Sequence, residues 1–263
     1  MTTEALDSYV NVPGGSVFVR RWRPVTHAHS PIILLHDSLG CVELWRDFPA
    51  ELAKVTNREV IAYDRLGFGK SSPRAQRPSE HFVAEEAETY FPALRCELDI
   101  DRFALLGHSV GGAMAVMVAA LHGDKCDALV TESAQASVEQ RTLSGIRAAK
   151  EQFSDPEQFK KIAKWHGDNA KWVLDAWTGV WLSPPFQSWS LDPHLGKVTA
   201  PVLAIHGDLD EYGSVEFPRR IASGVRGPSQ LMILENCGHV PHRERKEEVL
   251  QRVTSFLESS TRV

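Results

Sequence analysis

The sequence lacks the features that mark membrane, secreted and repeat proteins. It contains no apolar run near the roughly 18 residues that a helix needs to cross a bilayer, and it has no internal repeat or low-complexity segment. Its first residues show no basic segment followed by an apolar core, which is the pattern of a secretory signal. We therefore expect a cytoplasmic protein without a membrane partner.

Cysteine is scarce, and motifs for metals or cofactors are missing. The cysteines are dispersed without a CxxC pair, which indicates reduced thiols and neither a disulfide framework nor a zinc site: Cys41, Cys96, Cys126 and Cys237. The sequence shows no cluster of metal ligands, no phosphate loop and no dinucleotide fingerprint. No metal and no cofactor is expected.

Positive charge is also in short supply, since 29 Lys and Arg residues against 34 Asp and Glu residues leave a formal net charge of -5. This balance offers no electrostatic basis for binding nucleic acid. The chain of 263 residues is 43% hydrophobic and 24% charged, which suits one large globular domain or a domain with an inserted cap. The expected partner is a small-molecule substrate, and the sequence carries no signal for an oligomeric state.

Short apolar runs alternate with amphipathic helical segments along most of the chain. This alternation predicts an α/β fold, in which a mostly parallel central sheet is flanked by helices. The runs predicted as strands are Pro31–Leu35, Glu59–Asp64, Phe103–Leu106, Ala128–Thr131, Pro201–Ile205 and Gln230–Leu234. The first two are expected to be buried on both faces. Segments 7–12 and 17–23 predict a hairpin, and apolar spacing predicts helices over about 44–55, 83–98 and 243–257.

The strand alternation stops between residues 134 and 198. This segment is helical in pattern and holds five of the seven tryptophans: Trp165, Trp172, Trp177, Trp181 and Trp189. It predicts an inserted helical cap, residues 134–198, on a core domain formed by residues 1–133 and 199–263. Most of the tryptophans are expected to pack the cap, whereas one or two line a pocket for an apolar or aromatic substrate. Trp165 and Trp181 are the candidates for that pocket.

A Gly-x-Ser-x-Gly turn over 107–111 lies between an apolar run and a helix of small residues. A strand, a sharp turn and a helix in this order form a nucleophile elbow, which exposes a serine hydroxyl to a base. Glycines without a Cβ atom let the backbone close around the serine, and the N-terminus of the next helix favours developing negative charge. Ser109 is therefore the candidate nucleophile, and His108 is a candidate packing or pocket residue.

Two further polar residues follow predicted strands downstream of Ser109. Asp210 comes just beyond the run at Pro201–Ile205, and His239 comes just beyond the run that ends at Leu234. Ligands bind where the carboxyl ends of parallel strands meet, so both side chains are expected near the serine. A serine nucleophile needs a base, and the base needs an orienting carboxylate.

The order Ser, Asp, His resembles that of the α/β-hydrolase fold family, and the resemblance extends over essentially the whole chain. Five motifs carry it: LLHDSLG (34–40), YDRLGFGKS (63–71), GHSVGG (107–112), HGDLD (206–210) and CGHVPH (237–242). The resemblance implies an esterase-like serine hydrolase with a helical cap. In it, Ser109 is the nucleophile, His239 is the general base and then the acid, and Asp210 orients the imidazole.

Two other carboxylates are alternatives for the orienting acid. The family pattern Gly-x-x-Asp selects Asp210 over Asp208, which is expected to shape the loop or face solvent. Glu132 is the third candidate, because some family members place the acid after the strand that ends near it. His242 is expected to be exposed at the start of the final helix.

The resemblance also implies an oxyanion hole made of two backbone amides, those of Val110 and Ser38. Where the family has a His-Gly pair, this chain has His36-Asp37, and a carboxylate beside a developing oxyanion is unfavourable. Asp37 is therefore expected either to point into a hydrogen-bonded turn or to contact a polar group of the substrate. Residues 64–69 are expected to build a structural turn beside the site.

These features predict a serine hydrolase that cleaves a small carboxylic ester or lactone through an acyl-enzyme. A hydrolase of carbon–carbon bonds in aromatic ring-fission products is the first alternative, since it shares the triad and suits an aromatic cap. A cofactor-free oxygenase or perhydrolase is a weaker alternative. A non-catalytic ligand-binding protein on the same scaffold is an alternative of a different class.

Overall fold

The structure is a computed structural model that describes residues 4–26 and 29–260. The first three and last three residues of the predicted core domain lie outside this described part, as do residues 27 and 28. One sheet contains the strands β1 (Glu4–Val12), β2 (Gly15–Arg23), β3 (Ile32–Leu35), β4 (Val60–Tyr63), β5 (Phe103–His108), β6 (Cys126–Glu132), β7 (Val202–Gly207) and β8 (Ser229–Leu234). The predicted hairpin and the predicted strands are all present, with bounds that differ by a few residues, and β8 at the edge of the sheet is only partly buried.

The sheet has the strand order β1-β2-β4-β3-β5-β6-β7-β8. β2 pairs antiparallel with both β1 and β4, whereas each neighbouring pair from β4 to β8 is parallel. β3, β4, β5 and β7 are buried along their whole length, as expected for strands whose sequences are continuous apolar runs. The predicted fold class, a mostly parallel sheet flanked by helices, is confirmed.

Helices cover both faces of the sheet. They are α1 (Phe48–Thr56), α2 (Phe82–Glu85), α3 (Phe91–Glu97), α4 (Val110–Leu121), α5 (Gln140–Gln152), α6 (Pro156–His166), α7 (Ala170–Trp181), α8 (Asp192–Leu195), α9 (Glu216–Gly224), α10 (Pro241–Glu244) and α11 (Lys246–Ser260). Because successive side chains of a strand point to opposite faces, Ile33 and Leu35 of β3 pack with α4, while Ile32 and Leu34 pack with α1 and α11. The sheet thus separates two apolar cores.

Three predicted helices are interrupted. The helix expected over 243–257 is divided at Arg245, between α10 and α11. The helix expected over 83–98 is divided by a π-helical turn, Glu86–Tyr90, between α2 and α3. Pro92 in the first turn of α3 has no N–H to donate to the carbonyl four residues earlier, which disfavours a regular α-helix there. The helix expected over 44–55 begins as a 3₁₀ turn, Val42–Trp45, and Arg46 then adopts a φ of 55° that separates this turn from α1.

The segment between β6 and β7 contains α5 to α8, and α7 packs against both α5 and α6. Its β-structure within the described residues is a single bridge between Ser137 and Ser190. Trp177 of α7 packs edge-on to Tyr212, which follows β7, with ring centroids 5.9 Å apart. These helices therefore lie against loops at the carboxyl edge of the sheet. No helix in residues 4–26 or 29–260 has both the length and the apolar character needed to cross a bilayer.

Candidate active site

Ser109 occupies a strained turn between β5 and α4. Its φ of 56° and ψ of -126° lie outside the regions that L-residues favour. Close backbone packing enforces this turn. A Cβ atom on Gly107 would lie 2.2 Å from the carbonyl oxygen of Gly111, and one on Gly111 would lie 2.1 Å from the carbonyl oxygen of Leu35. The motif therefore requires glycine at both positions, because neighbouring backbone atoms lie too close for any Cβ atom.

The three residues of the predicted triad form one chain of hydrogen bonds. Oγ of Ser109 lies 3.0 Å from Nε2 of His239, and Nδ1 of His239 lies 2.8 Å from Oδ2 of Asp210. A carboxylate accepts and does not donate, so Nδ1 carries the proton and Nε2 is free to accept from the serine hydroxyl. The structure therefore brings together three residues that are up to 130 positions apart in the sequence.

The carboxylate of Asp210 is buried and well supplied with donors. Its Oδ1 accepts the amide of Tyr212 at 2.8 Å, and Nε2 of His206 lies 3.5 Å from its Oδ2. Burial opposes ionisation, but the hydrogen bond from His239 and the nearby His206 outweigh it and lower the pKa of Asp210. Asp208 is exposed and accepts the amide of Cys237 at 3.3 Å, so it contributes to the loop.

Glu132, the other alternative acid, binds a different histidine. Both of its carboxylate oxygens lie 3.0 Å from Nδ1 of His242. The prediction that His242 is exposed is wrong, because its side chain is only 3% exposed. Its ring packs on Trp45 and Phe48, with centroids 4.7 Å and 5.4 Å away. The short helix α10 turns this histidine into the protein, which the spacing of residues 243–257 does not reveal.

The two amides predicted as an oxyanion hole lie in suitable backbone settings. Val110 is the first residue of α4, where a helix leaves its N–H groups without intrahelical acceptors. The amide of Ser38 has no hydrogen-bond partner among the described residues. Asp37 points into a turn, since its Oδ1 accepts the amide of Leu39 at 2.7 Å. This is the first of the two arrangements expected for Asp37.

His108 links the turn around Asp37 to the loop that carries His239. Its Nε2 lies 2.8 Å from the carbonyl oxygen of His239, and its Nδ1 lies 3.4 Å from Oδ2 of Asp37. Burial opposes a charge on this imidazole, but Asp37 and Glu132 outweigh burial and raise the pKa of His108. His108 in turn helps to hold the pKa of Asp37 well below its usual range despite burial. The negative charge of Asp37 is therefore compensated by His108, and the amide of Ser38 is not needed to compensate it.

A cavity of about 130 Å³ opens onto Ser109, and we call it the catalytic cavity. A dry protein cavity of about 150 Å³ can hold benzene, so the catalytic cavity suits a small substrate. Its walls are Asp37, Ser38, Leu39, His108, Ser109, Gln135, Thr142, Ile146, Trp177, Trp181, Tyr212, His239 and Val240. Trp181 is one of the predicted pocket residues that lie there.

Trp165 does not line this cavity, as far as the described residues define its walls. The ammonium group of Lys164 lies 4.6 Å above its ring instead. Trp165 and Trp181 are separated by a change of helix, from α6 to α7, and only α7 carries its aromatic rings to the site. Composition alone cannot distinguish such tryptophans, because both lie in helices of similar pattern.

Gln135 is a residue of the site that the sequence patterns did not indicate. It is 4% exposed, and its Nε2 lies 3.3 Å from Oγ of Ser109. The amide side chain therefore offers a second hydrogen-bonding partner to the serine, opposite in kind to the accepting nitrogen of His239. Its position three residues beyond β6, at the carboxyl edge of the sheet, is the one sequence feature that could have indicated a role in the site.

His166 at the end of α6 joins the cap to two core loops. Its Nδ1 accepts the amide of Gly69 at 2.9 Å, and its Nε2 lies 2.9 Å from the carbonyl oxygen of Leu39. Since Nδ1 accepts, Nε2 carries the proton and donates it to Leu39. This arrangement requires a neutral imidazole, and burial indeed lowers the pKa of His166. His166 thereby fixes the loop that contains Ser38.

Within the two described ranges, no group of three or more His, Cys, Asp or Glu residues is placed to hold a metal ion. The four cysteines are free thiols, and Cys41 and Cys237 are buried near the site. Burial raises the pKa of each of these two thiols to about 12. At neutral pH both are therefore protonated, and neither is a nucleophile.

Comparison with known proteins gives the family. The family model described as "Alpha/beta hydrolase family" matches residues 32–252, which is most of the chain. The chain therefore belongs to the alpha/beta hydrolase family, and the resemblance seen in its motifs is confirmed.

Two curated relatives that match most of the chain are distant and are named for different activities. A proline iminopeptidase of Lactobacillus crispatus is 23% identical over 267 residues, which cover 87% of this chain and 90% of the relative. A 2-hydroxy-6-oxo-2,4-heptadienoate hydrolase of Pseudomonas putida is 24% identical over 254 residues, with 88% and 90% covered. Hydrolysis is common to these relatives, whereas the bond that is cleaved is not.

Solved structures share the fold at low identity. A bacterial membrane phospholipase A superposes with a TM-score of 0.81 at 22% identity and covers 98% of this chain and 87% of its own. The enol-lactonase of Burkholderia xenovorans has a TM-score of 0.76 at 19% identity, with 95% and 100% covered. At such identities the likeness establishes the fold alone.

Proposed function

We propose that this protein is a serine hydrolase that cleaves a small carboxylic ester or lactone through an acyl-enzyme. The observation that carries the proposal is the chain of hydrogen bonds from Ser109 through His239 to Asp210, ending at the catalytic cavity. This geometry supports acyl transfer, because the serine hydroxyl can donate to Nε2 of His239 while Nδ1 donates to the carboxylate of Asp210.

In the first half of the reaction, Oγ of Ser109 attacks the carbonyl carbon while Nε2 of His239 takes the hydroxyl proton. The negative charge that develops on the carbonyl oxygen is bound by the amides of Val110 and Ser38. The bond between the carbonyl carbon and the leaving oxygen then breaks. The alcohol leaves with the proton from His239, and the acyl group remains esterified to Ser109.

In the second half, water replaces the alcohol. His239 takes one proton from water as its oxygen attacks the acyl carbon, and the tetrahedral intermediate is again held by the two amides. Collapse returns that proton to Oγ of Ser109 and releases the carboxylic acid. With a lactone, the alcohol and the acid are the two ends of one product.

The walls of the catalytic cavity support an apolar or aromatic substrate of limited size. Trp177, Trp181 and Ile146 provide apolar surface beside Ser109, and rings of this kind pack well on flat or branched acyl groups. A cavity of about 130 Å³ suits a short acyl chain or a single ring better than a long lipid chain.

Hydrolysis of a carbon–carbon bond in a ring-fission product is the second candidate. The aromatic walls of the cavity favour it, as does the relative of Pseudomonas putida that is named a 2-hydroxy-6-oxo-2,4-heptadienoate hydrolase. The two reactions use the same three residues, so only the identity of the product separates them. Consumption of a ring-fission dienoate, together with inactivity on all esters and lactones, would favour this second candidate.

The test is a panel of p-nitrophenyl esters, lactones, proline p-nitroanilide and a ring-fission dienoate, applied to the wild type and to Ser109→Ala and His239→Ala. Ser154→Ala and His81→Ala, at exposed positions, are the matched controls. We expect turnover of at least one short ester or lactone by the wild type and both controls, and a loss of about 10³-fold or more in the two site variants.

Retention of ester turnover by Ser109→Ala would contradict the mechanism. Tight binding of a ligand without turnover of any substrate would instead support a non-catalytic ligand-binding protein. Circular dichroism of each variant establishes that lost turnover does not reflect lost folding.

A further inference from the structure

A second, smaller cavity adjoins the catalytic cavity, and we call it the side cavity. The two share Ser38, Trp177 and Trp181 as common walls. The other walls of the side cavity include Arg65, Phe68, Arg74, Glu86 and Met114. The side cavity thus borders the catalytic cavity at Ser38, and it contains charged groups that the reaction at Ser109 does not use.

Arg65 is the central charged group of the side cavity. It is 5% exposed, and its hydrogen bonds go to uncharged acceptors. Nη2 donates to the carbonyl oxygen of Asp37 at 2.7 Å, and Nε lies 3.3 Å from Nε2 of His36. The partner of Nη1 is the thioether sulfur of Met114 at 3.6 Å, a weak acceptor. One edge of a buried guanidinium is therefore poorly satisfied where it borders an open space.

No carboxylate among the described residues forms an ion pair with Arg65. Arg74, which also lines the side cavity, is paired with Glu85 at 3.4 Å. The carboxyl group of Glu86 also lines the side cavity, but it accepts the hydroxyl of Tyr63 at 2.6 Å. Burial raises the pKa of Glu86, although the nearby Arg65 opposes this rise. The charge on Arg65 therefore has no ion-pair partner among the described residues, and its other close neighbour is the ring of Phe68, whose centroid lies 4.4 Å from Cζ.

A buried charge without an ion-pair partner is unfavourable, and a guanidinium in particular matches the two oxygens of a carboxylate. We propose that the side cavity binds a carboxylate of the substrate through Arg65, so that the enzyme acts on acidic esters or lactones. The proposal rests on the function proposed above and adds the class of substrate.

The sizes of the two cavities fit this division of the substrate. The side cavity has a volume of about 30 Å³, and one water needs about 10–15 Å³, so it has room for a small polar group such as a carboxylate. The apolar body of the substrate and its scissile carbonyl then lie in the catalytic cavity, against Trp177 and Trp181. The substrate is thus an acyl compound with an acidic end.

The test uses mono-p-nitrophenyl esters of dicarboxylic acids, from succinate to suberate, and the corresponding methyl p-nitrophenyl diesters. Each pair has the same chain and leaving group and differs in the charge of the distal end. For the wild type we expect kcat/KM to be about 10- to 100-fold higher for the free acid at the chain length that reaches Arg65, which is the range of a charge-assisted hydrogen bond.

Variants of the side cavity separate recognition from structural damage. In Arg65→Gln the preference for the acid should disappear, because the group that binds the carboxylate is gone. General damage to the loop at Asp37 would instead lower kcat/KM for acid and diester alike and leave their ratio unchanged. Arg65→Lys keeps the charge without the planar fork, so it should retain a reduced preference. Glu86→Gln removes the carboxyl group that faces the bound anion, so it should increase the preference. Arg77→Gln, whose side chain is 67% exposed, is the charge-matched control and should leave the preference unchanged.

Equal kcat/KM for acid and diester at every chain length in the wild type would overturn the proposal while leaving ester hydrolysis intact. The same holds if the preference survives in Arg65→Gln, or if Arg77→Gln abolishes it. Absence of turnover for every acid and every neutral ester would instead contradict the serine hydrolase assignment itself. The two failures are therefore distinguishable in one data set.

Discussion

Glu132 binds the imidazole of His242, with both carboxylate oxygens 3.0 Å from Nδ1. Glu132 ends the strand next to the one that leads to Ser109, so it lies where an orienting acid could have been. Its carboxylate is instead committed to a histidine that is packed on Trp45 and buried. Because Glu132 binds His242, the only carboxylate that binds His239 among the described residues is that of Asp210. The pair of Glu132 and His242 also holds α10 against the core.

Glu132→Gln is expected to reduce stability more than activity. The substitution removes the charge that His242 faces, and weakening such a buried hydrogen bond costs about 1–3 kcal/mol in the free energy of unfolding. The distances from Ser109 to His239 and from His239 to Asp210 are unaffected, so kcat of the folded variant should stay within about 10-fold of the wild type. Urea titration and ester turnover measure the two effects.

The stabilisation by Glu132 should also depend on pH. Burial opposes ionisation, but His242 and His108 outweigh it and lower the pKa of Glu132 in the folded protein from its usual 4.5. Its contribution is therefore fully present above that usual value and is lost as pH falls through the lowered value. The difference in unfolding free energy between wild type and Glu132→Gln should shrink in acid. A difference that grows in acid would contradict this assignment.

Asp210→Asn, unlike Glu132→Gln, should reduce activity more than stability, with a large loss of kcat in a folded protein. An amide in place of the carboxylate cannot accept from Nδ1 of His239 without reorienting, and it favours the wrong tautomer of the imidazole. In a serine protease the equivalent change lowers kcat about 10⁴-fold, and we expect a loss of that order. Steady-state kinetics on one ester, beside Asp208→Asn as control, measure it. Equal effects of the two substitutions would sink the assignment of Asp210.

His166→Phe should lower kcat although His166 does not touch the serine. The phenyl ring cannot accept from Gly69 or donate to Leu39, so the loop that presents the amide of Ser38 loses its support. Misplacement by about 1 Å can cost 10²-fold in rate, and we expect a decrease of about 10- to 100-fold in kcat. Trp165→Phe on the same helix is the control and should have little effect on kcat.

The pH dependence of stability gives an independent check on His166. Burial lowers the pKa of His166 from 6.5 in the folded protein, so the unfolded chain binds more protons below that value. The wild type therefore loses stability as pH falls below about 6.5, and His166→Phe should lose less over the same range. Thermal melts at several pH values test this. An identical pH dependence in both proteins would show that His166 does not act in its neutral form.

Gly107→Ala should destabilise the elbow itself. The added methyl group would lie 2.2 Å from the carbonyl oxygen of Gly111, an atom of the backbone that cannot move aside without shifting α4. We expect a loss of about 3 kcal/mol or more, at the upper end for overpacking. Gly196→Ala is the control, because nothing lies within 4 Å of its added Cβ. A variant Gly107→Ala as stable as the wild type would contradict the packing described at this turn.

Much of the fold could be predicted because it is encoded locally. Buried parallel strands read as continuous apolar runs, and the elbow requires its glycines at fixed positions around Ser109. Asp210 and His239 could be singled out for a similar reason. Each follows a strand of the same sheet directly, so topology alone brings their side chains to one edge.

The missed features depend on contacts between distant segments. His166 meets Leu39 across 127 positions, and nothing in the periodicity of α6 indicates which loop its end will reach. The environment of Arg65 depends in the same way on Met114 and on the cap, so the sequence pattern predicted only a structural turn there. The sequence pattern predicts an exposed His242. Its burial depends on packing against Trp45, nearly two hundred residues earlier, which the local pattern does not show.

The central claim is that Ser109 is an activated nucleophile, and covalent labelling by a fluorophosphonate tests it most directly. The serine oxygen forms a bond to phosphorus and fluoride leaves, so intact mass and peptide mapping locate the adduct. We predict a single adduct on Ser109 of the wild type, a much slower reaction in His239→Ala and none in Ser109→Ala. A folded wild type that takes no label, or a Ser109→Ala variant that is labelled as rapidly, would contradict the account.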